Sequence, residues 1–166
     1  MITGLDLYEK YGDPNTVWDE GKYMTIWEAP QYIWENIPAI PRRIYCHYQM
    51  IVPLEIALLN VIDRGLTEQI KTWDGCFQVR AIRGFEQRVK DLIAKGDVRG
   101  AMIYMSIHSW GIAIDINAAW NGLGKQPQMS NELVMCFKDA GFDWGGDWKR
   151  KDGMHYQLEY LTTEKK

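Results

Sequence analysis

No two cysteines of this chain lie close enough in sequence to form a CxxC pair. Cys46, Cys76 and Cys136 are separated by tens of residues, which excludes a zinc knuckle built on cysteine. An odd cysteine count without a disulfide framework fits synthesis in a reducing compartment. A basic excess is also missing. Lys and Arg number 19 against 22 Asp and Glu, for a net charge of -3 and a pI near 5.6. A nucleic-acid binder normally shows a basic face, so no nucleic-acid partner is expected. No stretch approaches the roughly 20 apolar residues that span a bilayer, so no membrane insertion is expected. The first twenty residues contain no apolar run and carry Asp6, Glu9, Lys10, Asp13, Asp19 and Glu20. The expectation is a chain made in the cytoplasm without a signal peptide. Repeats, low-complexity segments and linkers are lacking too, and histidine is scarce: His47, His108 and His155 are all there is.

What is present suits a single domain, expected to act as a monomer. A length of 166 residues allows a real core. Eight tryptophans and nine tyrosines suggest aromatic-lined clefts as well as core. Residues 1–41, rich in Pro, Trp and Tyr, read as an irregular wrap with short strands. A helix is expected from Pro53, with Leu54, Ala57, Leu58 and Val61 on one face and Gly65 as its stop. Cys76 to Ile82 alternates as a strand ending at Arg83-Gly84. Phe85 to Ala94 reads as a second helix, stopped near Gly96. Ser130 can cap a third, 131–140, with Leu133, Val134, Phe137 and Ala140 inward and Gly141 at its end. Strands are expected at 112–116 and about 154–160. The mixture predicts an α+β fold with a mainly antiparallel sheet and flanking helices.

One stretch stands out: Ser-Ile-His-Ser-Trp-Gly-Ile-Ala-Ile-Asp-Ile-Asn, residues 106–117. Ile112, Ile114 and Ile116 alternate with Ala113 and Asp115, the period of a pleated segment. A carboxylate in such a strand is costly to bury without a partner, and His108 lies seven residues upstream. His108, Asp115 and His155 are all ligand types that zinc accepts. Two imidazoles and one carboxylate leave a fourth position for water, as in catalytic zinc sites. Spacing alone also allows a turn histidine, a strand histidine and a capping aspartate. Asp152 precedes His155 in Lys-Asp-Gly-Met-His, and Gly153 permits a bend that brings both into one cleft. A carboxylate beside a zinc-bound water can take its proton; Asp-Gly is equally a common turn pair.

Ser106 to Asp115 matches the pattern SxHxxGxAxD, and Asp152 to His155 matches DxMH. Together these motifs resemble the zinc D-alanyl-D-alanine peptidases of the VanY type. That group includes phage L-alanyl-D-glutamate endolysins and is distantly related to the hedgehog fold. The resemblance runs from about Trp73 to Glu159, and residues 137–148 look like the phage branch. It implies a hedgehog/DD-peptidase-like fold over 1–166 with a catalytic core at 73–160. It implies zinc ligation by His108, Asp115 and His155, and Asp152 as general base. It also implies an arginine that stabilises the oxyanion or grips substrate, for which Arg83 is the candidate and Arg80 its rival. Ser106 would shape the turn or support a ligand. Tyr156 stands where the family more often has Phe, and the stretch 85–105 departs from its substrate-side loop.

The resemblance makes the expected activity hydrolysis of an amide bond in a peptidoglycan stem peptide. The source would be a phage endolysin or virion-associated lysin acting on the cell wall or periplasm. A non-catalytic zinc-stabilised wall-binding module and a bacterial D,D-carboxypeptidase are the alternatives. Trp110, Trp144 and Trp148 are candidates to line the cleft, with core packing the role expected of most. A cysteine hydrolase built on Cys46-His47 is disfavoured, because neighbours on a strand point to opposite faces.

Overall fold

The computed structural model describes residues 1–16 and 18–162. It opens with helix α1, Gly4–Tyr11, and a short helix α2, Glu20–Tyr23. Strand β1, Met24–Glu28, and strand β2, Arg43–His47, pair antiparallel, with the helix α3, Gln31–Asn36, between them. The described residues of 1–41 therefore form three short helices and a strand, not an irregular wrap. Each helix has at most eight residues, too few for its periodicity to show in sequence. The long helix α4, Ile51–Asp63, buries Leu54, Ala57, Leu58 and Val61 as the sequence pattern requires. Pro53 sits at its third position, still within the first turn, where no N–H is needed.

A second, four-stranded antiparallel sheet carries the site. Its strands are β3, Trp73–Gly75; β4, Ala113–Ile116; β5, Phe142–Trp144; and β6, His155–Leu158. Their order is β3-β4-β6-β5. All four residues of β4 and all four of β6 are buried. A strand paired on both edges and covered on both faces reads as a continuous apolar run, which explains why Ile112 and Ala113 are buried alike. The helix α7, Asn131–Lys138, packs against α4 and β5. Ser130 Oγ accepts from the Leu133 N–H at its start. Helices α5, Glu86–Ala94, and α6, Val98–Met102, pack on each other, and α6 also meets α1. The core centres on Trp110, Tyr156, Phe137 and Phe142, all fully buried, with the Phe137 and Tyr156 rings 4.4 Å apart. Among the described residues, no helix is long and apolar enough to cross a membrane.

The expected strand 76–82 does not form. The register slips between Trp73 and Gly75, where Gly75 has φ +133. Beyond it, the neighbouring segment is a 3-10 turn, Ile107–Trp110, not a strand. Pairing is thus sparse: the Gln78 N–H donates to the His108 carbonyl, Ser106 to Arg80 and Ile82 to Tyr104. Helix α6 and strand β5 had no counterpart in the sequence reading. Both are five residues or shorter.

Candidate functional site

The register of the sheet builds the site. Asp115 on β4 pairs directly with His155 on β6, and directly paired residues of an antiparallel ladder project from the same face. His108 arrives from the 3-10 turn just before β4. That turn ends at Gly111, in the left-handed conformation (φ +68), and a Cβ there would lie 2.7 Å from Met24 Cε and 2.9 Å from His47 N. Glycine is therefore required twice over: for the reversal that lets His108 face Asp115, and for the close approach of β1 and β2.

Three atoms converge. His108 Nε2, Asp115 Oδ1 and His155 Nδ1 form a triangle with every side 3.2 Å. Ligands about 2.0 Å from a tetrahedral zinc lie about 3.3 Å from one another, so the donor set and its spacing fit a metal of that kind. The three residues are almost completely buried. Burial pushes the Asp115 carboxyl up, but the imidazoles of His108 and His155 beside it outweigh that and hold the group well below the usual carboxylate range. The ring of His108 is aimed by the Cys76 carbonyl, which takes the Nδ1 proton at 2.6 Å and leaves Nε2 for the cluster. The other oxygen of Asp115, Oδ2, faces the Arg80 guanidinium at 4.0 Å.

Asp152 lies at the edge of the same cleft. Its Oδ1 is buried and has no hydrogen-bond partner among the described residues. Desolvation pushes its pKa up; nearby charges, led by His155, pull it back only in part. An orphaned carboxylate oxygen at a pocket wall calls for explanation, and a proton-transfer role supplies one. Its loop is held by the segment before it. The Asp152 N–H donates to the Gly145 carbonyl, and the Trp144 Nε1–H donates to the Gly153 carbonyl. A Cβ on Gly145 would stand 2.4 Å from the Asp152 carbonyl oxygen. Gly153 is small because Pro127 approaches to 2.8 Å of where its Cβ would be, and not because its φ is positive.

The cleft, about 320 Å³, is lined by apolar side chains, Ile82, Phe85, Ile103 and Met105, and by the arginines Arg80, Arg83 and Arg150. Of the two arginine candidates, Arg80 is half-buried and reaches Asp115. Arg83 is exposed, and its carbonyl accepts from Arg150. Trp148 lines the cleft with its ring 5.2 Å from His155; Trp110 is core and Trp144 is spent on the Gly153 clamp. Ser106 lines the cleft and its carbonyl accepts from Ser109.

Two residues absent from the sequence reading matter here. Ser109 Oγ accepts from the Arg80 N–H at 3.1 Å and lies 3.2 Å from the Arg80 carbonyl, which pins that arginine's backbone. Gln157 Oε1 meets His155 Nε2 at 3.1 Å. The third histidine, His47, is remote from the cluster and sits among the rings of Tyr11, Tyr23 and Tyr48. Beside it, burial pushes the Cys46 thiol up to about 11. Cys46 is thus no nucleophile at neutral pH.

No curated protein matches the chain. One solved structure is similar, the crystal structure of Serratia marcescens L-Ala D-Glu endopeptidase ChiX. It has 19% identity, covers 77% of this chain and 86% of that chain, and has a TM-score of 0.37. Residues 99–158, which include His108, Asp115, Asp152 and His155, match the M15 peptidase family described as D-alanyl-D-alanine carboxypeptidase. The similarity is confined to that stretch, which covers little more than a third of the chain and carries the whole cluster.

Proposed function

We propose that the chain is a zinc peptidase that hydrolyses an amide bond in peptidoglycan stem peptides. The observation that carries this reading is the equilateral 3.2 Å donor triangle beside the orphaned Asp152 carboxylate. In the proposal His108, Asp115 and His155 hold the metal and Asp115 offsets part of its charge. A zinc ion bound there supplies Lewis acidity and brings the pKa of water towards about 7. Asp152 accepts the proton of the attacking water and delivers it to the leaving amine. Arg80 is the better placed of the two arginines to stabilise the developing oxyanion, because it already faces the cluster. Arg83 and Arg150, further out, suit the carboxylates that stem peptides carry.

In the same proposal the whole chain is one peptidase domain, with 73–160 as its catalytic core and the phage lysins as its kin by residues 137–148. A non-catalytic wall-binding module has no use for a carboxylate oxygen buried beside the cluster with no hydrogen-bond partner among the described residues, and Asp152 favours the enzyme. Mass spectrometry of muropeptides after incubation with zinc-loaded protein is the test. New termini at one stem-peptide bond are expected, and the mass of the products names the bond. Full activity in an Asp152→Ala protein would sink the assigned base.

A further inference from the structure

His108 and His155 are oriented by different means. The proton on His108 Nδ1 goes directly to a backbone carbonyl. His155 opens β6, a strand that lies between β4 and β5 in the sheet, and there a side chain does the same work. Gln157, two residues on and therefore on the same face of the strand, is that side chain, and it is almost fully buried.

An amide can present either oxygen or nitrogen to a histidine. The choice here is made at its far end. Gln157 Nε2 lies 3.1 Å from the Ile2 carbonyl, and a carbonyl can only accept. The Gln157 NH2 group must therefore point to Ile2, which leaves Oε1 facing His155 Nε2 at 3.1 Å. That oxygen can only accept as well, so His155 carries its proton on Nε2 and turns an unprotonated Nδ1 towards His108 and Asp115.

The Ile2 carbonyl is held firmly. Thr3 caps α1 through a reciprocal box with Asp6, and the Thr3 carbonyl, not that of Ile2, takes the Leu7 N–H. Gly4 is pressed against α6; a Cβ there would stand 2.4 Å from the Met102 carbonyl oxygen. Met1 to Gly4 also form part of the cleft wall.

We propose that Gln157, locked by the Ile2 carbonyl, is a positioning residue that fixes the His155 tautomer, so that the segment before α1 is part of the metal site. The inference rests on the peptidase reading for its purpose, but not for its test, which needs no metal. The first measurement is a long-range ¹H–¹⁵N correlation spectrum of histidine-labelled, metal-free protein at pH about 8.5, above the ordinary imidazole range. His155 is expected to show a protonated Nε2 and an unprotonated Nδ1. A proton on Nδ1 overturns the proposal, whether or not the protein binds zinc.

The second measurement compares Gln157→Leu with Gln157→Glu, which keeps an acceptor for His155. The Leu variant is expected to show averaged tautomers at His155 and to bind zinc about 10–100-fold more weakly in competition with a chelator. The Glu variant is expected to keep the Nε2 proton. An unchanged His155 signal and unchanged zinc affinity in the Leu variant overturn the proposal. If the Leu variant fails to fold, the wild-type spectrum decides alone. A wild-type protein that takes up no zinc would refute the peptidase reading and leave the tautomer assignment standing.

Discussion

Asp115 on β4 stands directly opposite His155 on β6, and the two side chains meet with Oδ1 and Nδ1 3.2 Å apart. Strand register thus does the work that close sequence spacing does in a zinc finger. The two residues are 40 positions apart, and only sheet pairing brings them together. A slip of one residue would send one of them to the other face.

Asp152 is expected to set the acid limb of activity. Burial raises its pKa above the ordinary 3.8, and a general base must be ionised. The rate should therefore fall as pH drops far enough to protonate Asp152. Asp152→Asn is expected to lose about 10²–10⁴-fold in kcat while retaining stoichiometric zinc. The sign for stability is opposite. A carboxyl whose folded pKa is raised favours the fold below its unfolded pKa, and that contribution is lost as pH rises through the folded value. Metal-free Asp152→Asn should then be at least as stable as wild type at pH 7. Chemical denaturation and pH–rate profiles check both statements.

The two arginines are separable. Arg80→Ala is expected to lower kcat by about 10²–10³-fold if it faces the oxyanion, because it is half-buried and adjacent to Asp115. Arg83→Ala, exposed at the rim, should act mainly on KM. Steady-state kinetics on a soluble muropeptide distinguish them; the reverse ranking would reinstate Arg83.

Gly145 is a structural control. Its missing Cβ admits the Asp152 carbonyl oxygen at 2.4 Å. Gly145→Ala must displace the Asp152 loop and is expected to destabilise by about 1–3 kcal/mol, the ordinary cost of overpacking. A denaturant midpoint unchanged from wild type contradicts the packing described.

Tyr156 buries a hydroxyl with no hydrogen-bond partner among the described residues, and burial pushes its pKa far up. An unsatisfied buried hydroxyl costs about 1–3 kcal/mol. Tyr156→Phe is therefore expected to be neutral or stabilising, by up to about 1 kcal/mol, and to leave activity unchanged. A clear loss of stability would reveal a partner for that hydroxyl.

Much of this was legible in the sequence because it is local. The face of α4, the Ser130 cap and the strand around Asp115 each follow from residues within a dozen positions. The donor types at His108, Asp115 and His155 were legible as chemistry and, with the second motif, as a resemblance. What was not legible depends on tertiary approach. Gly145 and Gly153 are glycines because other chain segments pass close to them, which no local pattern records. Gln157 gave one signal, a polar residue in the otherwise closed run His-Tyr-Gln-Leu, but its partner is Ile2, at the far end of the chain. Residues 76–82 alternate like a strand and lack only a strand to pair with. The choice between Arg80 and Arg83 likewise needed the position of Asp115.

A zinc ion held by His108, Asp115 and His155 is proposed to make the chain a peptidoglycan peptidase. The most direct measurement is the release of new amino termini from purified cell wall, with zinc-loaded wild type, chelator-treated wild type and a zinc-treated His155→Ala protein side by side. Release by the first alone is the expected result. Release that persists after chelation or in the variant, or no release from the zinc-loaded wild type, would contradict the account.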